Sequence, residues 1–201
     1  MHGPFAKKEV RQAINLAIDR KAMNKAVFFN QGSLTSTVPV SLGKWALPAE
    51  DIDKLFGQRD VEKARRLLHD AGYPNGFEVT CNIHPGYGPR VADPAAMFVE
   101  QLKEVGIKVK LNPLEYATYI KLMYGGRFEM NFGPWSPMIE PHDWVFSQFH
   151  PSGTRNMSKV DDPKLTAMLE QQMHEVDETK RVKIIHDIQY YVAENAYTLP
   201  I

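Results

Sequence analysis

Apolar residues recur at helical spacing along most of this chain, and short alternating runs interrupt them. Val10, Ala13, Ile14 and Ala17 form one stripe, widened by Leu16 and Ile18, which predicts a helix over residues 9–19. A second short helix is predicted over 21–29, stopped by Asn30, Gln31 and Gly32. Residues 33–57 are rich in Ser, Thr, Pro and Gly and weakly periodic. They read as a long surface excursion with a short strand at 37–40. The best punctuated unit comes next. Asp60 stands at an N-cap, and Val61, Ala64, Leu67, Leu68 and Ala71 make one helical face. Gly72 suits the left-handed C′ position, Pro74 forbids continuation, and Asn75-Gly76 turns the chain into a strand at Phe77–Ile83.

The alternation continues. A helix over 90–105 buries Val91, Ala95, Phe98, Val99, Leu102 and Val105, and Gly106 stops it before a strand at 107–111. A helix over 115–124 ends at Gly125-Gly126, and a strand follows at 128–132. Helices are then predicted at 143–149, at 163–176 with Asp162 and Pro163 as cap and first residue, and at 177–195. Helices alternating with strands mean an α/β layer fold, its sheet largely parallel. Ligands collect beyond the carboxyl ends of such strands. That rule singles out residues 84–88, 112–115 and 133–137.

Composition narrows the function classes. The chain has 201 residues, enough for one domain or two small ones, and 43% hydrophobic residues, enough for a substantial core. Twenty-four basic side chains balance twenty-four acidic ones, which argues against nucleic acid or an anionic membrane as main partner. A lone Cys81 excludes an internal disulfide framework and reads as a small buried hydrophobe. No apolar run is long enough to span a bilayer. Residues 1–3 read as an added lead-in and residues 197–201 as an unfinished extended segment. The expectation is a single α/β lobe over 1–201, excised from a larger protein.

Catalytic motifs are missing: there is no nucleophile elbow, phosphate loop, dinucleotide fingerprint or zinc-protease helix. His174-Glu175 and His186-Asp187 read as solvated helix faces. No enzyme activity, metal or cofactor is expected. Residues 84–88 form a turn whose Tyr87 is a candidate for the binding face. Trp135, held between Pro134 and Pro137 directly after a strand, is the strongest candidate, with Ser136 beside it. Trp144 reads as core, whereas Trp45 fits either role.

Several of these segments together carry a family resemblance. Val10-Arg11-Gln12-Ala13-Ile14-Asn15 with Ala17-Ile18-Asp19-Arg20 resembles the start of the second lobe in family 5 extracellular solute-binding proteins, the receptors of ABC importers for peptides, nickel and related solutes. Ala64-Arg65, Leu67-Leu68, Ala71-Gly72-Tyr73-Pro74 and Gly76-Phe77 resemble that family's central motif. Gln101-Leu102-Lys103 with Gly106-Ile107 and Val109 resembles its next helix–strand junction; Gly133, Trp135, Glu140-Pro141 and Ser147-Gln148-Phe149 resemble its tryptophan segment. The resemblance runs from about Pro4 to Ile201 in constant order.

It implies one lobe of a periplasmic-binding-protein type II receptor, supplying one wall of a cleft for a peptide, opine or related small solute. The implied partners are the receptor's other lobe and the membrane subunits of an ABC transporter, with no nucleic acid. The implied place is periplasmic or extracytoplasmic, at the membrane through the transporter. In peptide-binding members an aspartate three residues beyond the tryptophan pairs with the peptide's amino group; here Met138 stands there, and a thioether cannot offset an ammonium ion. The resemblance also brings Arg155 and Asn156 toward the cleft. The alternative expectation is the ligand-sensing domain of a transcription regulator with the same fold.

Overall fold

The computed structural model describes all residues, 1–201. Nine helices and three strands follow one another as α1 (Lys8–Ala17), α2 (Arg20–Phe28), α3 (Ala49–Phe56), α4 (Val61–Asp70), β1 (Phe77–Ile83), α5 (Pro89–Glu104), β2 (Ile107–Pro113), α6 (Tyr116–Tyr124), β3 (Met130–Asn131), α7 (Pro141–Phe149), α8 (Pro163–His174) and α9 (Glu178–Glu194). The α4–β1 unit forms as its punctuation requires. The Asp60 carboxylate accepts the Lys63 amide at 2.8 Å, and Gly72 adopts φ +89°. Gly76 has a second reason to be glycine. A Cβ there would stand 1.9 Å from the Gly106 carbonyl oxygen, because the turns entering β1 and β2 touch backbone to backbone.

All three strands run parallel, in the order β2-β1-β3. Phe77 pairs with Ile107 and the register holds to Ile83 and Pro113, whereas β3 adds only Cys81↔Met130 and Asn82↔Asn131. From β1 the chain crosses to β2 on one side, then returns past β1 to β3 on the other. The direction of winding therefore reverses between β1 and β3, where open sheets leave a crevice at their carboxyl ends.

Two cores hold the layers. Val10, Ile14, Leu68, Phe98, Leu102 and Ile107 pack α1, α4 and α5 against the sheet. Val145, Leu165, Leu169, Ile185, Ile188 and Val192 join α7, α8 and α9 in a second core. Two buried arginines tie chain segments together through carbonyls. Arg20 is 5% exposed, and its Nε–H donates to the Pro200 carbonyl at 2.6 Å. Its Nη1 reaches the Asn15 and Phe56 carbonyls at 3.1 and 3.0 Å, and its Nη2 the Asn15 amide oxygen at 2.8 Å. Burial lowers its pKa to about 10, so it stays charged at neutral pH. Arg11 similarly donates to the carbonyls of Phe5, Ala6 and Asn195.

The segment 33–57 departs from the sequence expectation. No strand forms at 37–40; Val40–Trp45 is a 3-10 segment, and α3 follows it. Ser36, Thr37 and Val38 are buried. Side chains take the place of a strand ladder: the Ser36 hydroxyl donates to the Gln189 amide oxygen, and the Gln189 amide nitrogen donates to the Trp45 carbonyl at 2.8 Å. Helix α3 shows the core only Ile52 and Phe56, one turn apart, too few positions for a periodic signal. Trp144 is buried as expected. Trp45 packs partly buried against the second core, with the Lys44 and Arg181 cations 5.7 and 5.3 Å from its ring.

Candidate functional site

The site grows from the carboxyl ends of the strands. Beyond β1, His84 Nδ1 bonds the Leu114 carbonyl at 2.9 Å, which fastens the exit of β1 to that of β2. Its ring lies 5.1 Å from Tyr87, 5.3 Å from Tyr116 and 6.2 Å from Tyr119. Burial raises the Tyr119 pKa to about 12, so its hydroxyl stays protonated. That hydroxyl donates to the Phe132 carbonyl at 3.3 Å and accepts the Asn131 amide at 2.8 Å, so α6 holds the end of β3. It also explains Gly133. A Cβ there would meet the Tyr119 hydroxyl at 2.3 Å. The chain leaves β3 at this bare backbone and presents Trp135 beyond it.

A cleft of about 600 Å³ opens beside β3. Its walls are the β3 edge with residues 132–136, the Trp144–Gln148 face of α7, the turn at 155–159 and the segment 196–201. Trp135, 40% exposed, Ser136 and Arg155 share this cleft. Tyr87 stands next to it, its ring 3.6 Å from the place a Gly133 side chain would fill. Burial, then the neighbouring Tyr116 and Tyr124, raise the Tyr87 pKa, so it offers a neutral phenol.

Two other expected residues are placed differently. Met138 packs on the second core, and its carbonyl accepts the Trp144 indole N–H at 2.8 Å. Asn156 is 4% exposed and does not line the cleft. Its amide donates to the His150 and Val160 carbonyls and accepts the Val160 amide, clasping its own loop.

Asn131 and Arg90 line the cleft without having stood out in the sequence, and Gln148, quoted there only within the tryptophan segment, lines it too. Single polar residues on a helix or strand carry no spacing signal. Cys81 also faces the cleft, but burial raises its thiol to about 12 and leaves it protonated. No group of three or more His, Cys, Asp or Glu side chains could hold a metal ion. No helix is long and apolar enough to cross a membrane.

Comparison with known proteins gives this geometry a context. Residues 1–156 match the model described as bacterial extracellular solute-binding proteins, family 5 Middle. Heme-binding protein A of Haemophilus influenzae is 30% identical over 98% of this chain and 37% of its own length. Di/tripeptide-binding protein 1 of Pseudomonas aeruginosa is 29% identical over 100% of this chain and 38% of its own. Among solved structures, the periplasmic binding protein DppA from Helicobacter pylori, in complex with the peptide STSA, superposes with a TM-score of 0.84 at 23% identity. That match covers 99% of this chain and 39% of DppA. AgaA from A. tumefaciens R10, in complex with agropinic acid, gives 0.83 at 28%, covering 98% and 40%. This chain thus spans about two fifths of the length of these relatives. Its fold is that of type II periplasmic binding proteins, and the family is one of binding proteins acting outside the cytoplasm. The chain belongs to the bacterial extracellular solute-binding proteins of family 5.

Proposed function

We propose that this chain is one lobe of a receptor that delivers a small solute to an ABC importer. It supplies one wall of the binding cleft and performs no catalysis. The observation that carries this reading is the cleft beside β3, near the β1/β3 reversal of a parallel sheet, whose lining includes Trp135, Ser136 and Arg155. The named relatives support a small-solute receptor: one is named for di- and tripeptides and one for heme, and two were solved with a peptide and with agropinic acid. The partners are a second lobe, which closes over the solute, and the transporter's membrane subunits. The working place is periplasmic or extracytoplasmic.

A single wall buries only part of a solute, and closure of the second lobe completes the burial. Native mass spectrometry of the full receptor, purified without added ligand, tests the reading. A retained small solute, released on unfolding, is expected. Multiple turnover of a substrate would overturn it.

A further inference from the structure

The rim of the cleft carries an aromatic side chain that the lobe itself does not use. Phe29 directly follows α2 and is 78% exposed. Its neighbour Phe28 lines the cleft, and so do Thr35, Ser36 and Thr37 on the far side of the turn, so residues 29–34 project from the rim. One exposed apolar side chain is ordinary by itself. The backbone beneath this one is not. Phe29 and Asn30 both lie in the left-handed region, at φ +52° and +59°, where residues with a Cβ are disfavoured. Hydrogen bonds hold them there. The Asn30 and Gln31 amides donate to the Asn24 and Phe28 carbonyls at 3.1 and 2.7 Å. The Asn24 side chain then clasps Gly32, donating to its carbonyl at 2.9 Å and accepting its N–H at 3.0 Å. Only glycine fits that clasp, since a Cβ would stand 2.7 Å from the Asn24 oxygen. A turn fixed in a strained conformation, with its aromatic ring in water, serves a contact outside this lobe.

The position of the turn selects the partner. Whatever closes over the cleft meets its rim first. Residues 1–2 and 196–201 also line the cleft, so a lobe joined to this chain at either end stands on the side where Phe29 projects. The chain covers 38% of the length of the di/tripeptide-binding relative, which leaves ample polypeptide in a receptor of that size for such a lobe.

We propose that Phe29 is a closure latch: in the full receptor its ring seats in an apolar socket on the second lobe when that lobe shuts over the solute. The inference rests on the reading of the chain as a cleft wall. Burial of the ring favours the closed state alone, so the latch lengthens the stay of the solute without touching it. The turn is already fixed in the open lobe, so little conformational freedom is lost when the ring docks.

Photocross-linking of the full receptor tests it. A benzophenone side chain replaces Phe29 (Phe29→p-benzoylphenylalanine), and the receptor is irradiated as purified, then again with the transporter's membrane subunits. The expected product has the mass of one receptor, and its peptide map joins the turn at 29–34 to a segment outside residues 1–201. Phe29→Gly gives a second readout. Glycine takes the left-handed conformation freely, so the melting temperature should hold or rise, while retained solute, followed by native mass spectrometry during dialysis, should leave about tenfold faster. Cross-links confined to the membrane subunits or to a second copy overturn the inference in favour of those partners. No cross-link, unchanged solute release from Phe29→Gly, or a clear drop in its melting temperature overturns it as well. In each case a wild-type receptor that retains its solute leaves the receptor reading intact. If there is no cross-link and the wild-type receptor retains no solute, the inference and the receptor reading fall together.

Discussion

Arg20 offers the sharpest test of how the fold is held. It is a buried cation without a carboxylate partner, and its four hydrogen bonds all end on neutral oxygens from three separated parts of the chain. Replacement by methionine keeps much of the volume and removes every donor. The Pro200, Phe56 and Asn15 carbonyls and the Asn15 amide oxygen then lose the guanidinium. Each orphaned buried acceptor costs roughly 1–3 kcal/mol. Relief from burying a charge offsets part of the sum over these acceptors, so Arg20→Met should destabilise by about 3–5 kcal/mol. Total domain stability is roughly 5–15 kcal/mol, so the variant is near the limit of folding. Arg20→Lys keeps the charge but not the fork. One ammonium cannot reach acceptors arranged around a planar guanidinium, and a loss of about 2 kcal/mol is expected. Urea unfolding followed by circular dichroism reads both. A loss below about 1 kcal/mol for Arg20→Met, with an unchanged denaturant slope, would refute the reasoning and mean that water replaces the guanidinium at these carbonyls.

Other consequences are equally open to test. Gly76→Ala combines a positive φ with a Cβ 1.9 Å from the Gly106 oxygen, so a loss of about 2 kcal/mol or more is expected in the same unfolding assay. Gly133→Ala should displace the Tyr119 hydroxyl and loosen the Trp135 loop. Solute affinity of the full receptor should fall more than stability does. For Asp162, burial acts to raise the pKa, but hydrogen bonds from Tyr197, the Leu165 amide, Tyr191 and the Lys164 amide outweigh it and hold the value below the ordinary 3.8. A lowered carboxylate stabilises the fold above its ordinary pKa, and the contribution is lost as pH falls through the folded value. Asp162→Asn should therefore flatten the acid limb of a stability-versus-pH curve, and an unchanged limb would show that Asp162 does not control it.

The sequence was most legible where one element announces itself alone. The α4–β1 unit, the α5 stripe and the α9 stripe needed only periodicity, a cap and a glycine stop. Segment 33–57 was not legible, because its order comes from distant partners. Gln189 and the second core fix it, and its own residues carry only one helical turn of apolar spacing. Strand β3 was read as five residues, but only Met130 and Asn131 join the ladder; Tyr119 from α6 holds the exit of the strand. The same distinction applies to the cleft. Trp135 was legible because prolines and a strand end frame it. Arg90, which also lines the cleft, was not, because a lone polar residue at the start of a helix carries no spacing signal. Asn156 shows the converse: a residue can stand beside a cleft residue in sequence while its amide bonds within its own loop.

The brevity of β3 separates two scales of motion. The pairing of β1 with β2 runs over seven residues and is backed by the first core, so its amides should exchange with solvent only on global unfolding. The loop carrying Trp135 hangs from two ladder pairs and one phenolic hydroxyl, so it can open on its own at much smaller cost. A guest that bonds this loop lends it protection that the empty protein lacks. Amide-exchange slowing confined to residues 130–137, with the β1–β2 pair unchanged, would be the signature of an occupied cleft.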